Sequence, residues 1–336
     1  METMYTVYGT QRSYFTMKLE SALIFYGVPW RHVTKGPENA ELVEKRSGTH
    51  QIPVLQTPEN WMINDTTPII SMMDARYPLR RLVPTGPLGV LVHLVEEFLD
   101  EWLSRTMVHY RWNYKESAQE VVKAMLGETI PDASLEVVEQ MAGRLFTFGS
   151  KACRANGLDS ELQKKKAEEE YEGILVAAQD QLSQTPYLLG SRPCVVDAIF
   201  LGGLKAHMYV DPAPREMLEG YPGLIDWLTN KADHWDGSGE LLPFPESTGF
   251  AQYILKLMQS TYLNYVKANT VAVAQGDKAF VTEMYGEEVS YKRLDYREES
   301  RQMVISRITH QLTDPERDMV EKWLVDCGLD SGFSPE

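Results

Sequence analysis

Three short clusters carry side chains whose types and spacing could do chemistry. Asp65-Thr66 stands where an apolar run with helical spacing begins (Ile69, Ile70, Met73, Tyr77). A helix N-terminus presents unsatisfied N–H groups and partial positive charge, so it suits a carboxylate, and a threonine hydroxyl adds a donor. An aspartate beside it can take an ammonium. The pair therefore suits the head group of an α-amino acid, although plain helix capping also accounts for it. The second cluster is Gln51-Ile52-Pro53-Val54. With a cis bond before Pro53, the backbone N–H and C=O of Val54 are left to pair with an extended peptide; otherwise this is a strand-edge proline in a turn. The third is Tyr8-Gly9-Thr10-Gln11-Arg12-Ser13, with Ser13 at a helix start. A hydroxyl or N–H there can hydrogen-bond a thiolate and lower a thiol's pKa, beyond the simpler role of an N-cap.

Other chemistries find no support. No phosphate-binding glycine loop, HExxH, CxxC or G-x-S-x-G occurs, and the seven histidines show no metal-ligand spacing with the cysteines, so no metal site is expected. The cysteines (Cys153, Cys194, Cys327) are odd in number and far apart, which fits neither a disulfide framework nor a zinc ribbon. Residues 1–152 hold no cysteine, so cysteine-type thiol transfer at the N-terminal clusters is not expected.

The elements that must position these clusters alternate. Met4–Tyr8 reads as a strand ending at Gly9. A helix follows from Ser13, with Phe15, Leu19, Leu23 and Tyr26 on one face and Gly27 as its stop. Pro29–Val33 is a second strand and Pro37–Arg46 a short polar helix. Ile52–Leu55 and Trp61–Ile63 form a hairpin, and the helix opened by Asp65 closes the unit. Pro53 cannot donate to a ladder, which puts it at the start of its strand. The order βαβαββα with a proline at this point is the pattern of a thioredoxin-like domain.

Residues 88–235 carry helical patterns and no convincing strand: Val90–Tyr114, Ser134–Asn156, Leu162–Leu182, Pro193–Met208 and Tyr221–Lys231. Lys164 to Glu170 pairs opposite charges at i,i+4 and reads as a solvated face. Beyond 248, Phe250–Asn269 reads as a helix, Phe280–Tyr285 and Val289–Leu294 as a hairpin about Gly286-Glu287, and Thr313-Asp314-Pro315-Glu316 as a capping box. The expected fold is α/β plus all-α, in three parts: residues 1–84, 88–248, and an extra C-terminal α/β segment at 249–336.

At 336 residues, with 43% hydrophobic and 24% charged side chains, the chain is an ordinary globular protein of two domains and an appendage. The net charge of −15 disfavours nucleic acid, whose phosphates need a basic surface. It is unevenly spread: residues 1–84 carry 9 basic and 8 acidic side chains, 85–248 carry 14 and 26, and 249–336 carry 10 and 14. No apolar stretch approaches the ~18 residues of a membrane helix, and METMYTVYGTQRSY lacks a secretory pattern. A cytoplasmic protein with no membrane or nucleic-acid partner is expected.

Taken together, the three clusters in their order resemble the glutathione S-transferase superfamily over residues 4–235. The resemblance rests on Ser13-Tyr14-Phe15-Thr16-Met17-Lys18, on Gly48 to Leu55, and on Asp65-Thr66-Thr67-Pro68-Ile69-Ile70 running to Tyr77-Pro78. It implies glutathione as co-substrate, with Val54 pairing the cysteinyl backbone beside cis-Pro53. Asp65 and Thr66 would hold the γ-glutamyl group, and His50 or Gln51 would lie near the peptide. The thiol-activating residue would be Ser13, slightly favoured although Tyr14 replaces the proline usual after such a serine, or Tyr8, which has Arg12 four residues on.

The family's helical domain would contribute a wall for the electrophilic second substrate, here the stripe Trp102, Arg105, His109 and Trp112, which core packing also explains. Where the family has a Ser/Thr-x-x-Asp capping box, this chain has Cys194-Val195-Val196-Asp197, whose cysteine is a poor side-chain acceptor. The implied activity is a homodimeric glutathione transferase-like enzyme attacking an electrophilic small molecule. The alternatives are a non-catalytic binding or assembly module on the same fold, and an enzyme for a different small acidic ligand.

Overall fold

Tyr5–Gly9 forms β1 in the computed structural model, which describes residues 4–335. The following helix α1, Tyr14–Tyr26, starts at Ser13, whose Oγ accepts the Thr16 N–H at 3.3 Å. It stops at Gly27, whose φ of 67° is cheap only for a residue without a side chain. β2 (Trp30–Thr34), α2 (Ala40–Ser47), β3 (Val54–Gln56), β4 (Met62–Asn64) and α3 (Thr66–Arg76) complete the βαβαββα order. The sheet order is β2-β1-β3-β4, with β1 parallel to β2 and the other pairs antiparallel. This is a thioredoxin-like α/β domain, and a helical domain follows it.

The helices are α4 (Gly86–Glu97), continued through a π turn at Phe98–Leu103 into α5 (Ser104–Trp112), then α6 (Lys115–Thr129), α7 (Leu135–Ala155), α8 (Glu161–Leu182) and α9 (Val195–Gly203). Next come α10 (Pro212–Leu218), α11 (Pro222–Asp226), α12 (Gly249–Leu257) and α13 (Leu263–Gln275). Strands β5 (Ala279–Met284) and β6 (Glu287–Lys292) pair around Tyr285-Gly286, both at positive φ as a two-residue hairpin turn requires. Helices α14 (Asp295–Gln311), α15 (Asp314–Asp326) and α16 (Asp330–Phe333) end the chain. Helices α6, α10, α14 and α16 occupy segments that the apolar periodicity does not single out. No helix among the described residues is long and apolar enough to cross a membrane.

The chain groups into two units. One comprises residues 1–83, 110–150 and 193–238, the other 84–109, 151–192 and 239–336. In the first unit α1 packs along α9 so closely that a side chain at Gly202 would meet the backbone of Tyr14 and Lys18. Helix α9 begins with a working capping box despite its cysteine: the Asp197 carboxylate accepts the Cys194 N–H at 2.8 Å. Tyr26, Leu82 and Val83 all donate to the buried Asp74 carboxylate, at 2.6, 2.7 and 3.0 Å, tying α1, α3 and the segment after it together.

The second unit has an aromatic core with polar groups inside it. Trp102, Tyr262, Tyr265 and Tyr291 lie with ring centroids 5.1 to 6.4 Å apart. The buried Glu97 carboxylate accepts from Tyr262 at 2.8 Å and from Ser300 in a short hydrogen bond. Burial pushes that carboxyl up to about 7 against the pull of the two hydroxyls.

Candidate functional site

The sheet register gathers the three clusters at one end of the sheet. Tyr8 pairs with Val54 across β1 and β3, and Val54 pairs with Asn64 across β3 and β4. Asn64 leads straight into Asp65 and α3, and β1 leads through Gly9 and a turn into Ser13 and α1. Two helix N-termini and the first residue of β3 therefore share one end of the sheet, where both helix dipoles favour negative charge. The Ile52–Pro53 bond is cis, and both Pro53 and Val54 are buried.

Asp65 is exposed at φ 66° and ψ 125°, outside the left-handed helical region and a costly backbone state for any residue with a side chain. One carboxylate oxygen accepts the Thr67 N–H at 3.1 Å as an N-cap. Thr66 is buried in the first turn of α3. His50 and Gln51 are exposed on the loop before Pro53. That loop is held by Lys35, whose ammonium donates to the His50 carbonyl at 2.7 Å and pairs with Glu44 at 2.9 Å. Lys35 has no distinguishing mark in the sequence, since its partner lies fifteen residues away in a different loop.

The two candidate activating hydroxyls differ in what they already do. Tyr8 is half-buried and donates to Gln56 Oε1 at 3.0 Å, and Gln56 in turn donates to Asn60 at 2.7 Å. Ser13, also half-buried, uses its Oγ as an acceptor for Thr16, which leaves the hydroxyl proton outside that bond.

Side chains from α5 and α6 reach the turn before Ser13. Arg111 donates from Nη1 to the Arg12 carbonyl at 2.6 Å and from Nε to Asp211 at 2.9 Å. Glu128 Oε1 accepts the Gln11 N–H at 3.1 Å and the Thr34 hydroxyl at 3.2 Å. It also lies 3.6 Å from His32, whose other ring nitrogen is 2.6 Å from Glu20. Flanked by Glu128 and Glu20, His32 is pushed up to about 9 despite partial burial. Burial raises the Glu128 carboxyl, but His32, the Gln11 amide and Thr34 outweigh it and leave it below its ordinary value.

The expected second-substrate wall does not form as such. Trp102, Arg105 and His109 are 0%, 1% and 2% exposed, so they are core residues of the second unit rather than the lining of an open face. Arg105 stacks over Trp102 and makes a short hydrogen bond to Glu170, while its Nε and Nη1 have no partner. His109 pairs with Glu168 at 2.7 Å, and burial lowers its pKa. Trp112 belongs to the first unit, half-buried against Gly149 and edge-on to Phe148. Among the described residues no group of three His, Cys, Asp or Glu side chains could hold a metal ion.

Residues 7–81 match the family profile described as glutathione S-transferase, N-terminal domain. Solved structures with a similar fold include the beta-etherase LigF from a Sphingobium species, at 15% identity over 69% of this chain and 96% of that one, TM-score 0.49. A glutathione S-transferase from Rhodospirillum rubrum shows 17% identity over 74% and 99% of the two chains, TM-score 0.44. A third, from Methylobacterium radiotolerans and in complex with glutathione sulfonate, shows 17% identity over 70% and 92%, TM-score 0.42. No curated protein matches the chain in sequence. The sheet order and the cis-proline define a thioredoxin-like domain. In that domain, over residues 7–81, the chain is similar to the glutathione S-transferases.

Proposed function

We propose that this protein binds glutathione at the Val54 end of the sheet and uses Ser13 to stabilise its thiolate for attack on an electrophilic small molecule. The carrying observation is the register that puts Tyr8, Val54 and Asn64 in one cross-strand row, with the starts of α1 and α3 beside it. In this reading the cysteinyl backbone pairs with Val54. The γ-glutamyl carboxylate sits at the α3 N-terminus on Thr66, its ammonium meets the free carboxylate oxygen of Asp65, and His50 and Gln51 flank the peptide. The thiol loses its proton to solvent, the Ser13 hydroxyl donates to the sulfur anion, and that anion attacks an electrophilic carbon as the leaving group departs. Ser13 is preferred to Tyr8 because the Tyr8 hydroxyl proton is already spent on Gln56. In this reading the protein works as a homodimer in the cytoplasm, as the family resemblance implies.

Glutathione titration followed by thermal unfolding tests this. Saturating ligand should raise Tm by mass action, and Thr66→Ala should weaken binding about tenfold, the worth of one hydrogen bond to a charged group. No stabilisation of the wild-type chain at millimolar glutathione would overturn the proposal.

A further inference from the structure

The turn Thr10–Ser13 makes only one backbone bond of its own, from the Ser13 N–H to the Thr10 carbonyl at 3.1 Å. Two further backbone groups of the turn are taken up from outside. Glu128, on α6, accepts the N–H of Gln11 at 3.1 Å, and Arg111, on α5, donates to the carbonyl of Arg12 at 2.6 Å. Both are charge-assisted hydrogen bonds, which are shorter and stronger than neutral ones.

Neither brace has slack. Arg111 is 3% exposed, and its remaining donors go to the Asp211 carboxylate at 2.9 and 3.3 Å and, through a short bond, to the Ala206 carbonyl. A planar fork with five donors can span these acceptors at once, and a lysine ammonium cannot. Glu128 is held in its turn by Thr34 and His32 on β2, so it is fixed to the sheet as well as to α6.

We infer that Arg111 and Glu128 are positioning residues that grip the turn from two helices and so fix where the Ser13 hydroxyl meets a bound thiol. This rests on the role given to Ser13 above. Close approach of α1 to α9 at Gly202 fixes the body of the helix, but its N-cap lies just before that contact. The braces act on the residues immediately preceding the cap, where a shift of about 1 Å in a hydroxyl costs on the order of a hundredfold in rate.

The test compares the full-length wild type with Arg111→Lys, Glu128→Ala and Glu128→Gln, using Lys165→Ala, an exposed position, as control. Two quantities are read: amide hydrogen exchange over residues 10–16, and the acid limb of kcat/KM against pH with glutathione. Arg111→Lys and Glu128→Ala should speed exchange about tenfold and move the acid limb up by about one pH unit, with glutathione affinity within about threefold. Glu128→Gln, which keeps an acceptor for Gln11, should recover most of both effects, and Lys165→Ala should match wild type.

Unchanged exchange and an unchanged acid limb in folded Glu128→Ala would overturn the inference, and that variant decides alone if Arg111→Lys does not fold. Failure of the wild type to bind glutathione would sink the functional proposal instead. The exchange measurement would then judge the braces by itself.

Discussion

Tyr8, one residue before the end of β1, and Val54, the first residue of β3, face each other across the two strands. That pairing brings the residues after β1 and those around the cis-proline to the same end of the sheet, although 46 positions separate Tyr8 from Val54 in the chain. It also sets the choice between the two hydroxyls, because the Tyr8 side chain is bonded to Gln56 on the strand that holds Val54.

Ser13→Ala should therefore lower kcat/KM for glutathione conjugation by about a hundredfold, the loss typical of one donor to a developing anion. Tyr8→Phe should stay within about threefold. Removing Ser13 also removes an N-cap and costs about 1 kcal/mol of stability. Steady-state kinetics with each variant decides, and the opposite order of losses would move the role to Tyr8.

His32 carries a pH dependence whose sign is fixed by its two carboxylates. Glu128 and Glu20 raise it from 6.5 to about 9, so the folded chain binds this proton more tightly than the unfolded one. The added stability is complete below about 6.5 and disappears as the pH climbs through 9. After allowance for solvent screening it amounts to roughly 1 kcal/mol. Urea unfolding of wild type and His32→Gln across this window should show their difference shrinking towards alkaline pH; a constant difference contradicts the assignment.

Glu170 is the anchor of the buried cluster in the second unit, accepting from Trp102 at 3.4 Å and, through two short hydrogen bonds, from Arg105 and Tyr285. Glu170→Ala strands the Arg105 charge in the core and should cost about 3 kcal/mol. The double variant Arg105→Met with Glu170→Gln leaves no lone charge and should be less destabilised than the sum of its single changes. Strict additivity in denaturant unfolding would mean that the pair is not coupled.

The cysteines should differ sharply in reactivity. Burial pushes Cys153 up to about 12 and raises Cys194 well above its ordinary value, whereas Cys327, also raised, is only half-buried. Mass spectrometry after brief alkylation of the native chain should find Cys327 modified alone, and all three thiols modified after unfolding. Fast labelling of Cys194 would show that α9 opens.

Most of the N-terminal domain was legible because its signals are local. Ser13 and Gly27 bracket α1, Asp65 opens α3, and Pro53 stands immediately before β3, where no ladder donor is needed. Helix α14 was not, because its buried face includes Arg297, Ser300 and Arg301 beside Val304 and Ile308, so burial there does not track hydrophobicity. The spacing of Trp102, Arg105 and His109 correctly marked one face of a helix. Periodicity reports a face and not what it meets, and here it meets Glu170, Tyr285 and Glu168. Arg111 had no signal at all, since Arg12 lies 99 residues before it and Asp211 100 residues after.

The bonds from Glu97 to Tyr262 and Ser300 span 165 and 203 residues. During synthesis, α4 emerges from the ribosome well before its partners exist; at about 5–20 residues per second the wait is of order ten seconds or more. Until Ser300 has cleared the exit tunnel, the second unit has a buried-type carboxylate with nothing to bury it. Its folding therefore waits for Ser300, which makes nascent chains stalled before Ser300 protease-sensitive in residues 84–109 until α14 arrives.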